Sequence, residues 1–202
     1  VCTKITYTNS TSAMIKVLQK VACNKDAALS VKEFVSEDTI SSELIELAVN
    51  TGTHSRFQKD PRLGREKLIN MYETWLRNSA NRVAADYMVV ATVCERHGEK
   101  VVGYITCTIK ECEGHTFGDI SLMACSQEYK NLRVNWHLLH SAVEWFDSKG
   151  IDRVESSTHE TNRACRAMFE IVGMQVSGKS HDYHIWVQPG QVKTDLDSFE
   201  EA

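Results

Sequence analysis

The sequence holds no apolar run approaching the roughly 20 residues that a membrane-spanning helix needs. Its start, Val1-Cys2-Thr3-Lys4, has neither the basic region nor the apolar core of a signal peptide. A soluble, cytosolic protein that does not engage membranes is therefore expected. There is no Lys/Arg stripe interleaved with aromatics, and a formal net charge of -4 supplies no basic field for a phosphate backbone. Nucleic acid is thus not an expected partner. The seven cysteines, Cys2, Cys23, Cys94, Cys107, Cys112, Cys125 and Cys165, are odd in number, contain no CxxC pair and fall in several cases inside apolar runs. They read as reduced core thiols rather than a disulfide framework. His137 and His140 stand three apart on a helix without a carboxylate or cysteine cluster near them, so no metal is predicted. A Walker loop, a serine nucleophile elbow and internal repeats are missing as well.

What remains is ordinary globular material: 42% hydrophobic and 25% charged residues over 202 positions, enough for one substantial core with or without a small appendage. Residues 1–30 read as an N-terminal strand and helix of uncertain role. Thr3–Thr8 alternates, and Ala13, Met14, Val17, Leu18 and Val21 recur at helical spacing. Ser36-Glu37-Asp38 then provides a helix start ahead of Ile40, Leu44, Ile45 and Ala48, with Gly52 as the stop; the expected helix has about four turns. A further helix is expected over Gly64–Ala80, with Leu68, Ile69, Tyr72, Trp75 and Leu76 on one face and His54–Leu63 as the loop before it.

From Asp86 the period changes from helical to two. Tyr87–Cys94 and Val101–Ile109 are β-rich runs joined across Arg96-His97-Gly98-Glu99, and Gly118–Cys125 makes a third strand, so an antiparallel meander is predicted. A helix through Val134, Leu138, Ala142, Val143 and Phe146 follows, then a strand Arg153–Ser157, a helix Thr161–Val172 closed by Gly173, and a strand Met174–Trp186. The tail 188–202 is acidic and poor in apolar residues, which leaves it little to bury.

Two helices, three antiparallel strands, a helix, a parallel strand, a helix and a last strand form an order that resembles the GNAT superfamily of N-acetyltransferases, over roughly residues 34–187. The local matches Ser55-Arg56-Phe57, Asp60-Pro61, Tyr72, Trp75, Asn78-Ser79, Ala85-Asp86 and Thr161-Asn162-Arg163-Ala164 are similar to the branch that includes TDP-fucosamine N-acetyltransferase. The resemblance implies an α/β (α+β) acyl-CoA N-acyltransferase fold over 31–187: a mixed central sheet with an antiparallel meander, splayed central strands and flanking helices. It also implies acetyl-CoA as co-substrate and a small-molecule primary amine, such as an amino sugar nucleotide, as acceptor.

By the same resemblance, Met123, Ala124 and Cys125 form the strand edge that holds the pantetheine arm. That is physically sensible, because an unpaired strand edge seeks partners. The pyrophosphate turn, glycine-containing in the family, reads Lys130-Asn131-Leu132-Arg133-Val134-Asn135 here, with larger residues at both glycine positions. A Cβ crowds the approach of phosphate to backbone, and a positive φ suits Arg less well than Gly or Asn; Lys130 and Arg133 offer charged contacts in compensation. The competing view makes this a plain polar turn. Asn162 is expected near the CoA arm, a helix N-cap being its bland alternative.

Phe169 stands where related enzymes carry a tyrosine that protonates the departing thiolate, and phenylalanine cannot do so. Cys165, one turn earlier on the same face, is a candidate proton donor or acyl acceptor set against simple apolar filling. His159 and Glu160, just past the Arg153–Ser157 strand, are the candidate bases, with Asp119 behind them. Ser55, Arg56, Phe57 and Tyr72 are expected at the acceptor pocket, where Arg56 would grip a phosphate or carboxylate. The alternative function is a catalytically impaired acyl-CoA-binding or interaction protein on the same scaffold, with a homodimer through the C-terminal strand as the interaction it would make.

Overall fold

A computed structural model describes residues 2–22, 28–35, 39–52, 55–96, 98–183 and 185–186. Cys23, the Ser36–Asp38 start signal, His54, His97, His184 and the tail lie outside the described residues.

The elements run β1 (Cys2–Ser10), α1 (Thr11–Val21), β2 (Leu29–Glu33), α2 (Ser42–Thr51), α3 (Arg56–Lys59), α4 (Arg65–Ala80), β3 (Tyr87–Glu95), β4 (Gly98–Cys112) and β5 (His115–Cys125). A 3-10 segment (Gln127–Leu132), α5 (Val134–Ser148), β6 (Arg153–His159), α6 (Arg163–Ile171) and β7 (Gln175–Asp182) complete the chain. One seven-stranded sheet, ordered β2-β3-β4-β5-β6-β1-β7, organises all of it. Every neighbouring pair is antiparallel except β5 with β6. The predicted meander is β3-β4-β5, and the mixed α/β sheet with flanking helices is the architecture expected.

The sheet is covered on both faces. One core joins Ile5 and Tyr7 of β1, Met14 and Leu18 of α1 and the inner face of α5; the other joins α2 and α4 to Met88, Val90 and Tyr104. Two-sided cover explains why β3 is buried without interruption from Met88 to Val93, a near-continuous apolar run instead of an alternation. Side chains of helix α5 fill the space over two glycines, Gly103 of β4 and Gly118 of β5. A Cβ at Gly103 would lie 2.7 Å from Val134 Cγ1, and one at Gly118 would lie 2.5 Å from the Phe146 ring. On that helix Leu138, Leu139 and Phe146 are fully buried, each burial stabilising by about 1.5–3 kcal/mol.

The structure departs from expectation at several places. Residues 2–10, expected as an extension, are an interior strand: β1 lies between β6 and β7, antiparallel to both, pairing Lys4 with His159 on one side and Cys2 with Asp182 on the other. Strand β2 was not anticipated, since its five residues are too short to display a period. Helix α2 begins at Ser42, after Ser41, whose hydroxyl accepts the Leu44 amide at 3.3 Å; it is shorter than the four turns expected. The loop before α4 contains the single turn α3. Strand β7 stops at Asp182, short of Trp186, and as an edge strand it is almost wholly exposed.

Candidate active site

The parallel pairing of β5 with β6 covers only Gly118–Val154, Asp119–Glu155 and Ile120–Ser156. Beyond it β5 continues to Cys125, still paired to β4, while β6 continues to His159, paired to β1. At the point of divergence the buried Ser156 hydroxyl donates to the Ile120 carbonyl at 2.9 Å. A cavity of about 540 Å³ opens from there, with Met123, Ala124 and Cys125 on one wall and Ser157, Thr158 and His159 on the other. The β5 edge that faces β6 has lost its strand partner, so its backbone groups suit an extended amide-bearing ligand.

One end of the cavity is built by the start of α5. Lys130, Val134 and Asn135 line it; Asn131 and Arg133 do not. Arg133 occupies the left-handed region, φ 53° and ψ 36°, and its Nη1 donates to the Val21 carbonyl at 3.2 Å. Thus the backbone takes the conformation for which a glycine would ordinarily be used, while the side chain turns toward α1. The first amides of α5 lack intrahelical acceptors and carry the positive end of its dipole, which favours an anion.

The other end is formed by the segment around α3. Ser55 caps α3 by accepting the Gln58 amide at 3.4 Å. Tyr72 is buried, which pushes its phenol up from the usual value, and a hydrogen bond from the Ser55 side opposes that rise. Its hydroxyl fills the space where a Cβ on Gly52 would be, 2.1 Å away, and its ring stacks on Trp75 with centroids 6.3 Å apart. Arg56 lies over the Phe57 ring at 4.4 Å and donates to Asp182 at 2.7 Å. Ser55, Arg56, Phe57, Tyr72 and Trp75 all face the cavity.

Among the proton-transfer candidates, His159 lines the cavity, and its Nδ1 is 2.9 Å from the Cys2 thiol. Glu160, one residue on, does not line it. That carboxylate is bonded to Lys179 at 2.9 Å, which holds it below the usual carboxylate range. Asp119 is likewise engaged elsewhere, with Lys110 and Ser121. Cys165 lines the cavity, and burial pushes its thiol up despite a Thr158 contact, so it stays protonated at neutral pH. Burial raises the Cys125 thiol further, to about 12. Asn162 is the N-cap of α6, its Oδ1 accepting from the Cys165 amide at 3.2 Å; its Nδ2 donates to Thr158, and it borders the cavity. Phe169 is on the wall, only 3% exposed, with its ring 5.2 Å from that of Tyr7.

Sequence reasoning missed Lys4 and Cys2. The alternation of Thr3–Thr8 marked them as strand residues, but nothing local says which strand they pair with.

Residues 51–174 match the model of the Acetyltransferase (GNAT) family. The spore coat polysaccharide biosynthesis protein SpsD of Bacillus subtilis (strain 168) is 27% identical over 148 residues, 73% of this chain and 47% of that protein, so the chain spans about half the length of this curated relative. Two solved structures share the fold. One is an integron cassette protein from the mobile metagenome of V. cholerae (TM-score 0.59, 11% identity, 88% of this chain and 100% of that one). The other is an aminoglycoside acetyltransferase from an uncultured soil metagenomic sample, in complex with trehalose (TM-score 0.53, 16% identity, 81% and 97%). With the diverging strands, the cavity between them and a family match over more than half its length, the chain belongs to the acetyltransferase (GNAT) family.

Proposed function

We propose that the protein transfers an acetyl group from acetyl-CoA to the primary amine of a small molecule, an amino sugar nucleotide being the acceptor that the sequence resemblance implies. The observation that carries this reading is the cavity at the β5/β6 divergence, which joins a bare strand edge to an end lined by Ser55, Arg56 and Tyr72. Bound acetyl-CoA would supply an acyl group already activated as a thioester. The β5 backbone at Met123–Cys125 suits the amides of the pantetheine arm and can polarise the acyl carbonyl. Lys130 and the α5 amides at Val134 and Asn135 suit its pyrophosphate.

Ser55, Arg56, Phe57 and Tyr72 hold the acceptor, and His159 accepts the proton that the amine loses as its nitrogen bonds to the acyl carbon. The C–S bond then breaks. The protonated Cys165 thiol is the donor offered to the departing sulfur, since no phenol is present at position 169. SpsD, named for polysaccharide biosynthesis, is in keeping with a sugar acceptor.

A second reading, an acyl-CoA-binding protein that does not turn over, is favoured by Phe169 on the cavity wall. Calorimetric titration with acetyl-CoA, desulfo-CoA and CoA lacking its 3′-phosphate, followed by a transfer assay on an amine panel led by amino sugars, separates the readings. Saturable binding with transfer supports the enzyme, and binding without transfer to any amine supports the second reading. Failure to bind any of the three overturns both.

A further inference from the structure

We propose that the acceptor end of the cavity is an anion subsite built by Lys4 of the N-terminal strand together with Arg56, and that the acceptor amine carries a phosphate or carboxylate. This rests on the acetyltransferase reading and names the class of its acceptor.

Lys4 Nζ and Arg56 Nη1 both bond the same oxygen, Oδ2 of Asp182, at 2.8 and 2.7 Å. Two cations therefore share one carboxylate, and the cluster keeps a net positive charge. Lys4 and Arg56 line the cavity, whereas Asp182 stands behind them outside its wall. Among the described residues, the charged side chains on that wall are Lys4, Arg56 and Lys130, with no aspartate or glutamate to balance them. Lys130 belongs to the α5 end, which leaves Lys4 and Arg56 for the acceptor. Their side chains retain 34% and 29% exposure, enough to meet a ligand.

The donor chemistry agrees with the charge. An ammonium has three N–H groups and a guanidinium five, so each has donors beyond those given to Asp182, and a planar guanidinium with an adjacent ammonium suits an oxyanion. Asp182 acts as a pivot: it holds two like charges side by side until a ligand anion bridges them. A wall of this sign disfavours polycationic amines and favours acidic ones. Because β1 reaches this place by lying between β6 and β7, the N-terminal strand is a specificity element as well as part of the sheet.

The test is calorimetric titration of the protein, saturated with desulfo-CoA, with glucosamine, glucosamine 6-phosphate and glucosaminuronic acid, with acetyl transfer to the same three measured in parallel. At least one acidic amine is expected to bind tenfold or more tighter than glucosamine, and the preferred one distinguishes phosphate from carboxylate. Lys4→Gln should remove most of that preference while leaving the affinity for glucosamine unchanged, and Arg56→Gln, which also removes an acceptor contact, should weaken the acidic amines at least tenfold more than glucosamine. Asp182→Asn, which removes the competing carboxylate, should increase the preference. A merely structural ion cluster predicts instead that all three variants shift every amine alike. That outcome, equal affinity for neutral and acidic amines, or no affinity for either acid overturns the proposal. Loss of desulfo-CoA binding by the unmodified protein would instead strike the acetyltransferase reading, and the calorimetric preference among amines would be judged separately.

Discussion

The thiol of Cys2 lies 2.9 Å from Nδ1 of His159, a contact between residues 157 positions apart. Strand β1 makes it possible, because antiparallel pairing with β6 sets Lys4 opposite His159 and brings Cys2 alongside the end of that strand. The contact on Nδ1 orients the ring, and Nε2 can accept a proton only in the tautomer in which Nδ1–H donates to the Cys2 sulfur.

Replacing His159 with alanine should therefore lower kcat by about 10²–10⁴-fold with the affinity for acetyl-CoA retained. Cys2→Ala should lower kcat less and change the shape of the pH–rate profile, whereas Cys2→Ser, which preserves a hydrogen-bonding group, should restore most of the rate. Steady-state kinetics of the three variants across pH 5–9 checks this. A Cys2→Ala enzyme with an unaltered profile would remove Cys2 from any positioning role.

The ion cluster at Asp182 makes stability depend on acid. Its carboxyl is held below the ordinary value, first by the Lys4 hydrogen bond and then by the charges of Lys4, Arg56 and His159. A depressed folded-state value means that the unfolded chain binds the proton more readily. The contribution is thus fully present above the unfolded value, near 3.8, and is lost as pH falls through the lower folded one. Urea midpoints measured from pH 6 down to pH 2 should fall more steeply for the unmodified protein than for Asp182→Asn. Parallel curves would show that the cluster adds nothing.

The α/β layers and the meander were legible because hydrophobic period and turn residues are local properties, and both survive in the chain from Tyr87 to Val172. The place of β1 was not legible. Its alternation marks a strand, but the choice of β6 and β7 as neighbours is made by contacts more than a hundred residues away. The start of helix α2 was misread for a different reason: Ser36 and Ser41 are equally good caps by type, and it is Ser41 that precedes the helix. At the site, Met123–Cys125, Ser55–Phe57 and Tyr72 were singled out by the family resemblance, and all of them line one cavity. His159 and Glu160 were indistinguishable in sequence; one step along the chain separates a cavity-lining ring from a carboxylate bonded to Lys179 on the outside.

Arg133 offers a backbone test. At φ 53° an L-residue with a Cβ is strained, by roughly 1–2 kcal/mol relative to glycine. Arg133→Gly and Arg133→Ala both lose the exposed bond to the Val21 carbonyl, but only the glycine relieves the strain. The glycine variant should therefore be the more stable of the two by about 1 kcal/mol in chemical denaturation. Since the Arg133 side chain does not line the cavity, neither substitution should weaken acetyl-CoA binding more than a few-fold. A large loss in both would return the guanidinium to the pyrophosphate.

In the proposed mechanism Phe169 stands where a general acid would set the rate. Its ring borders the cavity and packs against Tyr7, so a hydroxyl added at its tip enters a site that holds Cys165 as a protonated but weakly acidic donor. A thiolate is a tolerable leaving group and positioning supplies much of the acceleration, which allows reaction without a phenol. General acid help nevertheless contributes about 10²–10⁴-fold where it is present. Phe169→Tyr should then raise kcat by at least tenfold with little change in acetyl-CoA affinity, and Cys165→Ala should lower kcat in the original background more than in the Phe169→Tyr background, because the phenol takes over the donor role. Unchanged kcat in a folded Phe169→Tyr protein would mean that the aromatic does not approach the sulfur, and Cys165 would lose its part in the mechanism if its removal had equal effect in both backgrounds.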